Sequence, residues 1–130
     1  MRKVIALVAV LLIGLSACAG ESNAAVTNLN VSEFANVLAT EDVVILDVRT
    51  PAEFADGHIA NAINIDAQSG NFAAEIEGLD KTKTYAVYCR SGNRSGTATQ
   101  IMAEAGFSKL YNMNGGTIDW TNSGFALTTN

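Results

Sequence analysis

The spacing of apolar residues changes period several times along this chain, and each change predicts an element. Phe34, Val37 and Leu38 fall on one helical face, with Ser32 as the expected N-cap. Val43 to Val48 is then an apolar run of strand length, suited to a central strand covered on both faces. Thr50-Pro51-Ala52-Glu53 is a capping box with proline at the first helical position, so a short helix begins there. Ile63-Asn64-Ile65 reads as a short strand, and Phe72, Ile76 and Leu79 share a helical face. Tyr85 to Tyr88 is a β-branched and aromatic run, the mark of a buried strand. From Ser95 to Ala105 the spacing is helical, with Ala98, Ile101, Met102 and Ala105 on one side and Gly106 as the stop. Lys109 to Met113 reads as a last strand, Gly115-Gly116 as a turn and Thr117 to Asn122 as a helical turn. Strands alternating with helices predict an α/β domain: a mainly parallel central sheet flanked by helices on both faces. In such sheets ligands bind beyond the carboxyl ends of the strands, which is where Cys89 falls.

The first residues follow a different pattern. Arg2-Lys3, the apolar run Val4 to Ile13 and Gly14-Leu15-Ser16-Ala17-Cys18 have the three parts of an export signal. The apolar run is too short for a stable membrane span. Leu15-Ser16-Ala17-Cys18 resembles the lipobox of bacterial lipoproteins, which implies removal of residues 1–17 and a lipid on Cys18. Ala19 after it suggests the outer membrane of a Gram-negative cell. The competing reading is ordinary secretion, since Ala17-Cys18-Ala19 also offers a small-x-small cleavage site. Residues 18–28 are expected to be a tether and 29–130 the folded domain.

Processing changes the charge. Arg2 and Lys3 would leave with the leader, so eight basic residues become six against thirteen acidic ones, and the net charge goes from −5 to −7. An acidic protein is a poor partner for nucleic acid or an anionic lipid surface, so membrane contact is expected through the lipid alone. Any anion site must be local. With Cys18 in the leader region, Cys89 is expected to be unpaired, and one histidine with no paired cysteines gives no metal site.

The local site is Cys89-Arg90-Ser91-Gly92-Asn93-Arg94-Ser95, which joins the strand ending at Tyr88 to the following helix. Unpaired N–H groups converge at such a junction. The helix dipole and two guanidiniums favour the thiolate, the nucleophilic form of cysteine. Gly92 lets the backbone bend close to the sulfur, and Ser95 is the expected N-cap of the helix. Arg90 and Arg94 are candidates for holding an anion. The bland alternative for Cys89 is a small buried hydrophobe.

CRSGNRS (Cys89 to Ser95) resembles the active-site loop of the rhodanese-like sulfurtransferases. A second block agrees: Asp47-Val48-Arg49, Glu53-Phe54, Gly57-His58-Ile59 and Ala62-Ile63-Asn64 are similar to that family's upstream signature. Gly106-Phe107, Gly115-Gly116 and Trp120 are similar to its closing block, although Ala126 stands where proline is common. The resemblance covers Val31 to Leu127. It implies a rhodanese-like fold and a catalytic Cys89 that accepts sulfur from a small anion such as thiosulfate. The sulfur then passes to cyanide or a thiol, with no cofactor, in a protein expected to be monomeric. Residues Arg90 to Ser95 would surround the donor and the transferred sulfur. His58, in the scaffold block, is expected to be structural rather than a base, Asp47 and Arg49 to orient the sheet edge, and Trp120 to lie in the core or the site wall. A persulfide carrier or redox sensor is the alternative from another class. Phosphatases and arsenate reductases on similar scaffolds have a loop one residue longer between cysteine and arginine, wide enough for a tetrahedral oxyanion.

Overall fold

A computed structural model describes residues 23–130, so the leader, Cys18 and the start of the tether lie outside it. Five strands form one sheet in the order β1-β5-β4-β2-β3: β1 (Val26–Leu29), β2 (Val44–Asp47), β3 (Ile63–Asn64), β4 (Thr84–Tyr88) and β5 (Lys109–Met113). Every strand pairing in it is parallel. Helices α1 (Val31–Thr40) and α5 (Gly116–Asn122) cover one face, while α3 (Phe72–Ile76) and α4 (Asn93–Glu104) cover the other. Helix α2 (Pro51–Asp56) buries no residue of its own. The expected α/β architecture is the one found.

The two-residue period of β4 decides how the site is placed. Tyr85, Val87 and then Cys89 point into the cluster under α3 and α4, with Leu46, Phe72, Ile76 and Met102. Ala86 and Tyr88 point the other way, into a cluster with Phe34, Ile59, Met113 and Trp120. Phe34 meets both Tyr88 and Trp120 edge-on, with ring centroids 6.4 Å apart in each case. Cys89 therefore leaves the sheet on the α4 side, under the first turn of that helix.

Several boundaries differ from expectation. The expected tether overlaps β1, because Val26 to Leu29 add a parallel edge strand to β5, in register from Val26–Leu110 to Leu29–Met113. That run is polar enough to read as linker, and only its pairing with a distant strand reveals it. The N-cap of α1 is Asn30 rather than Ser32. Its side chain accepts from the Glu33 amide at 2.9 Å while Glu33 accepts from the Asn30 amide at 2.9 Å, a reciprocal box. Helix α4 starts two residues early, capped by Gly92 at φ 95° rather than by Ser95. The box at Thr50 and Glu53, by contrast, forms as expected.

A buried ion pair ties the end of β2 to its neighbours. Arg49 donates through Nη2 to Asp47 Oδ2 at 2.6 Å and to the Gly57 carbonyl at 2.6 Å, and its guanidinium lies 5.7 Å from the Tyr88 ring centroid. Asn64 donates to the carbonyls of Asp47 at 3.0 Å and Arg49 at 2.9 Å. These contacts hold the chain that leads into α2, as expected of Asp47 and Arg49. Replacing Asp47 by alanine would leave the Arg49 cation buried without its partner. The expected loss is about 3–5 kcal/mol, read as a lower urea midpoint with unchanged slope.

Candidate active site

Cys89 has no exposed surface, yet it is surrounded by hydrogen-bond donors as well as by apolar groups. The Gly92 amide donates to Sγ at 3.1 Å and the Ser95 hydroxyl donates to it at 3.4 Å. Burial raises the thiol pKa, but the Ser95 hydroxyl and the amides of Ser95, Ser91 and Gly92 outweigh it and leave the pKa below its ordinary value. Ser95 is therefore a donor from the first turn of α4 and not the helix cap. Its own carbonyl accepts from the buried Thr99 hydroxyl at 2.9 Å.

The loop holds this shape because α5 is docked under it. The Thr117 amide donates to the Cys89 carbonyl at 3.0 Å, and the Ile118 amide donates to the Arg90 carbonyl at 3.2 Å. With those carbonyls turned to α5, the following amides are free to face the sulfur. Gly116 permits the contact: at φ 56° it is left-handed, and a Cβ there would collide with the backbone of Cys89 and Arg90. Gly92 is similarly enclosed, since an added Cβ would come within 3.1 Å of the Gly115 nitrogen and 3.2 Å of the Met113 carbonyl. The sequence suggests a turn at Gly115-Gly116; the support it gives to the cysteine loop emerges only in three dimensions.

The two arginines differ. Arg90 is exposed and has no ion pair among the described residues. Arg94 makes a fork-to-fork pair with Glu53, Nη1 to Oε1 at 2.8 Å and Nη2 to Oε2 at 2.9 Å. The Arg94 pair and Thr50 hold Glu53 down at about 2. Asn93 and Arg94 also line a shallow groove of about 220 Å³ that follows α4 past Thr97 to Ile101, with Ala67 and Gln68 opposite. Ser91 is exposed beside Arg90. Glu53 as the partner of Arg94 is missed by sequence reasoning, which gives it a place in the upstream signature and a role in the cap of α2 but none at the cysteine loop.

His58 is structural. Its Nδ1 lies 2.8 Å from the Phe54 carbonyl and its Nε2 2.7 Å from the Asn130 carbonyl, and the ring stacks on Phe54 with centroids 3.7 Å apart. Both ring nitrogens face backbone oxygens rather than Cys89. Trp120 is a core residue whose Nε1 donates to Ala126 at 3.0 Å. That bond fixes the path of the closing segment at Ala126. No group of metal-binding side chains occurs among the described residues.

Known proteins share this fold. The rhodanese-like domain model matches residues 30–123. The chain belongs to the rhodanese-like family. It is similar to a sulfurtransferase of Allochromatium vinosum, 34% identical over 88 residues that cover 68% of this chain and 80% of that one. A thiosulfate sulfurtransferase, GlpE, of Pseudomonas fluorescens is 38% identical over 68% of this chain and 79% of its own length. Among solved structures, a rhodanese-related protein of Thermoplasma volcanium superposes with a TM-score of 0.70 at 29% identity, covering 79% of this chain and 98% of the other. A rhodanese-like domain protein of Staphylococcus aureus gives 0.69 at 28% identity, over 80% and 98%.

Two measurements check the electrostatics of this rhodanese-like site. The rate of Cys89 alkylation by iodoacetamide should rise with pH through a midpoint below the ordinary thiol range. In Ser95→Ala that midpoint should move upward, because one donor to the thiolate is gone. Glu53 has a folded pKa of about 2 against an ordinary 4.5, so its stabilisation is present above 4.5 and is lost as the pH falls towards 2. The stability difference between wild type and Glu53→Gln should be constant above that window and shrink within it, as read by urea unfolding at stepped pH.

Proposed function

We propose that this domain moves a sulfane sulfur from a donor such as thiosulfate to a thiophilic acceptor through a persulfide on Cys89. The observation that carries the reading is the position of Sγ, with the Gly92 amide at 3.1 Å and the Ser95 hydroxyl at 3.4 Å. The sulfurtransferase names of several relatives support it further.

The chemistry balances without a cofactor. The Cys89 thiolate attacks the outer sulfur of the donor, and the donor's S–S bond breaks with its electron pair leaving on sulfite. The new bond joins Sγ to a terminal sulfur that keeps a negative charge. An acceptor thiolate or cyanide then attacks that sulfur, and the electron pair of the Sγ–S bond returns to Cys89. Covalent catalysis divides one exchange into two displacements. The amides of Ser91, Gly92 and Ser95 stabilise the sulfur anion as an oxyanion hole stabilises oxygen. Arg90, exposed within the loop, is suited to meet an anionic donor.

We place this activity in the cell envelope, on a lipid attached to Cys18, from the lipobox pattern of Leu15 to Cys18. Among the described residues no helix is long and apolar enough to cross a membrane. The protein should collect in the membrane fraction, and Cys18→Ala should release it to the soluble fraction or block its maturation.

Thiosulfate treatment of the domain should add one sulfur atom by intact mass, and cyanide should remove it as thiocyanate. In Cys89→Ser both events should disappear. Retained sulfur loading in that variant would exclude Cys89 as the nucleophile.

A further inference from the structure

Arg90 and Arg94 both follow the thiol in sequence, but their charges are not equally available. Arg90 is exposed with no ion pair among the described residues, while both terminal nitrogens of Arg94 are taken by Glu53. Glu53 is itself held in place. Its Oε1 accepts from the Thr50 amide at 3.4 Å and the Thr50 hydroxyl at 3.1 Å, so the cap of α2 fixes the carboxylate before any ligand arrives. The pair is half-buried, with side chains 21% and 29% exposed, so solvent screens it only in part. It also lies within the field of the thiol, since the charge on Cys89 contributes to the raised pKa of Arg94, after the larger effect of the Glu53 hydrogen bond.

We propose that Glu53 is a specificity-determining residue for the sulfur donor: by neutralising Arg94 it leaves Arg90 as the one uncompensated guanidinium at the loop among the described residues, and so favours a donor with a single negative charge, such as a thiosulfonate or a persulfide anion, over a dianion. The inference rests on the reading of Cys89 as the sulfur acceptor and refines which donors suit it. The thiolate already contributes one negative charge. A dianionic donor would place three negative charges opposite one free guanidinium, whereas a monoanion would place two. Thiosulfate is accommodated, but against more repulsion than a singly charged donor meets.

Glu53→Gln isolates the charge, because glutamine at this position of a capping box still accepts from the N-cap amide. The first measurement does not depend on sulfur chemistry: the ratio of Cys89 alkylation rates with iodoacetate, an anion, and iodoacetamide, its neutral counterpart. That ratio should rise about three- to tenfold in Glu53→Gln at low salt and fall back as salt is added. The second is steady-state transfer. In Glu53→Gln, kcat/KM for benzenethiosulfonate, a monoanion, should rise by a similar factor, while that for thiosulfate, a dianion, should rise by about the square of that factor, through KM. The gain should be lost in the Glu53→Gln/Arg94→Gln double variant. An unchanged alkylation ratio, or an equal fall in rate with both reagents, would reduce the pair to a structural tie between α2 and α4 and overturn the proposal. A raised alkylation ratio with no sulfur added to Cys89 by either donor would sustain the charge role and overturn sulfur transfer instead.

Discussion

A thiol without exposed surface can carry negative charge only if hydrogen-bond donors are aimed at it before it ionises. That requirement organises this domain. Burial alone would make Cys89 inert, yet the Ser95 hydroxyl and the amides of Ser91, Gly92 and Ser95 reverse the shift. The donors need no charge and little reorganisation, because they belong to a helix terminus and a turn that the fold has already set. The apolar cluster around the sulfur then strengthens each of these interactions, as expected where the local dielectric is low.

Their aim is set from a distance. Turning several successive amides inward leaves the neighbouring carbonyls facing elsewhere, and a buried carbonyl also needs a donor. The first turn of α5 supplies those donors to Cys89 and Arg90. In turn, α5 is held by Trp120, packed against Phe34 of α1. A chain of contacts thus runs from the core on one face of the sheet to the sulfur on the other, and β4 passes between them with Tyr88 on one side and Cys89 on the next. Gly116 is where that chain is most constrained, because any side chain there would push α5 away from the loop.

Local sequence made much of this legible. Apolar and β-branched runs locate β2 and β4, helical spacing locates α1 and α4, and Thr50-Pro51-Ala52-Glu53 gives the start of α2. The loop from Cys89 to Ser95 stood out as a thiol between a strand and a helix. What could not be read depends on pairing between distant segments. Residues Val26 to Leu29 become a strand only because β5 offers an open edge. Ser95 could be placed near a helix start, but its burial, which turns a cap candidate into a thiol donor, comes from the packing of α4. Glu53 satisfies its local role in the capping box so fully that nothing in its neighbourhood calls for a partner 41 positions away.

The Glu53–Arg94 pair also bears on the choice between sulfur and phosphate chemistry. A loop that holds a tetrahedral oxyanion needs a guanidinium free to make two parallel hydrogen bonds to it. Here four residues separate Cys89 from Arg94, and both ends of that guanidinium are already engaged by a carboxylate. A phosphoryl group would have to displace an anion anchored by the cap of its own helix before gaining the same interaction. A persulfide makes no such demand, since its single terminal sulfur can take its charge stabilisation from the amides that already face Sγ. The short loop and the occupied arginine are thus two independent constraints, one steric and one electrostatic, and both favour a single-atom cargo.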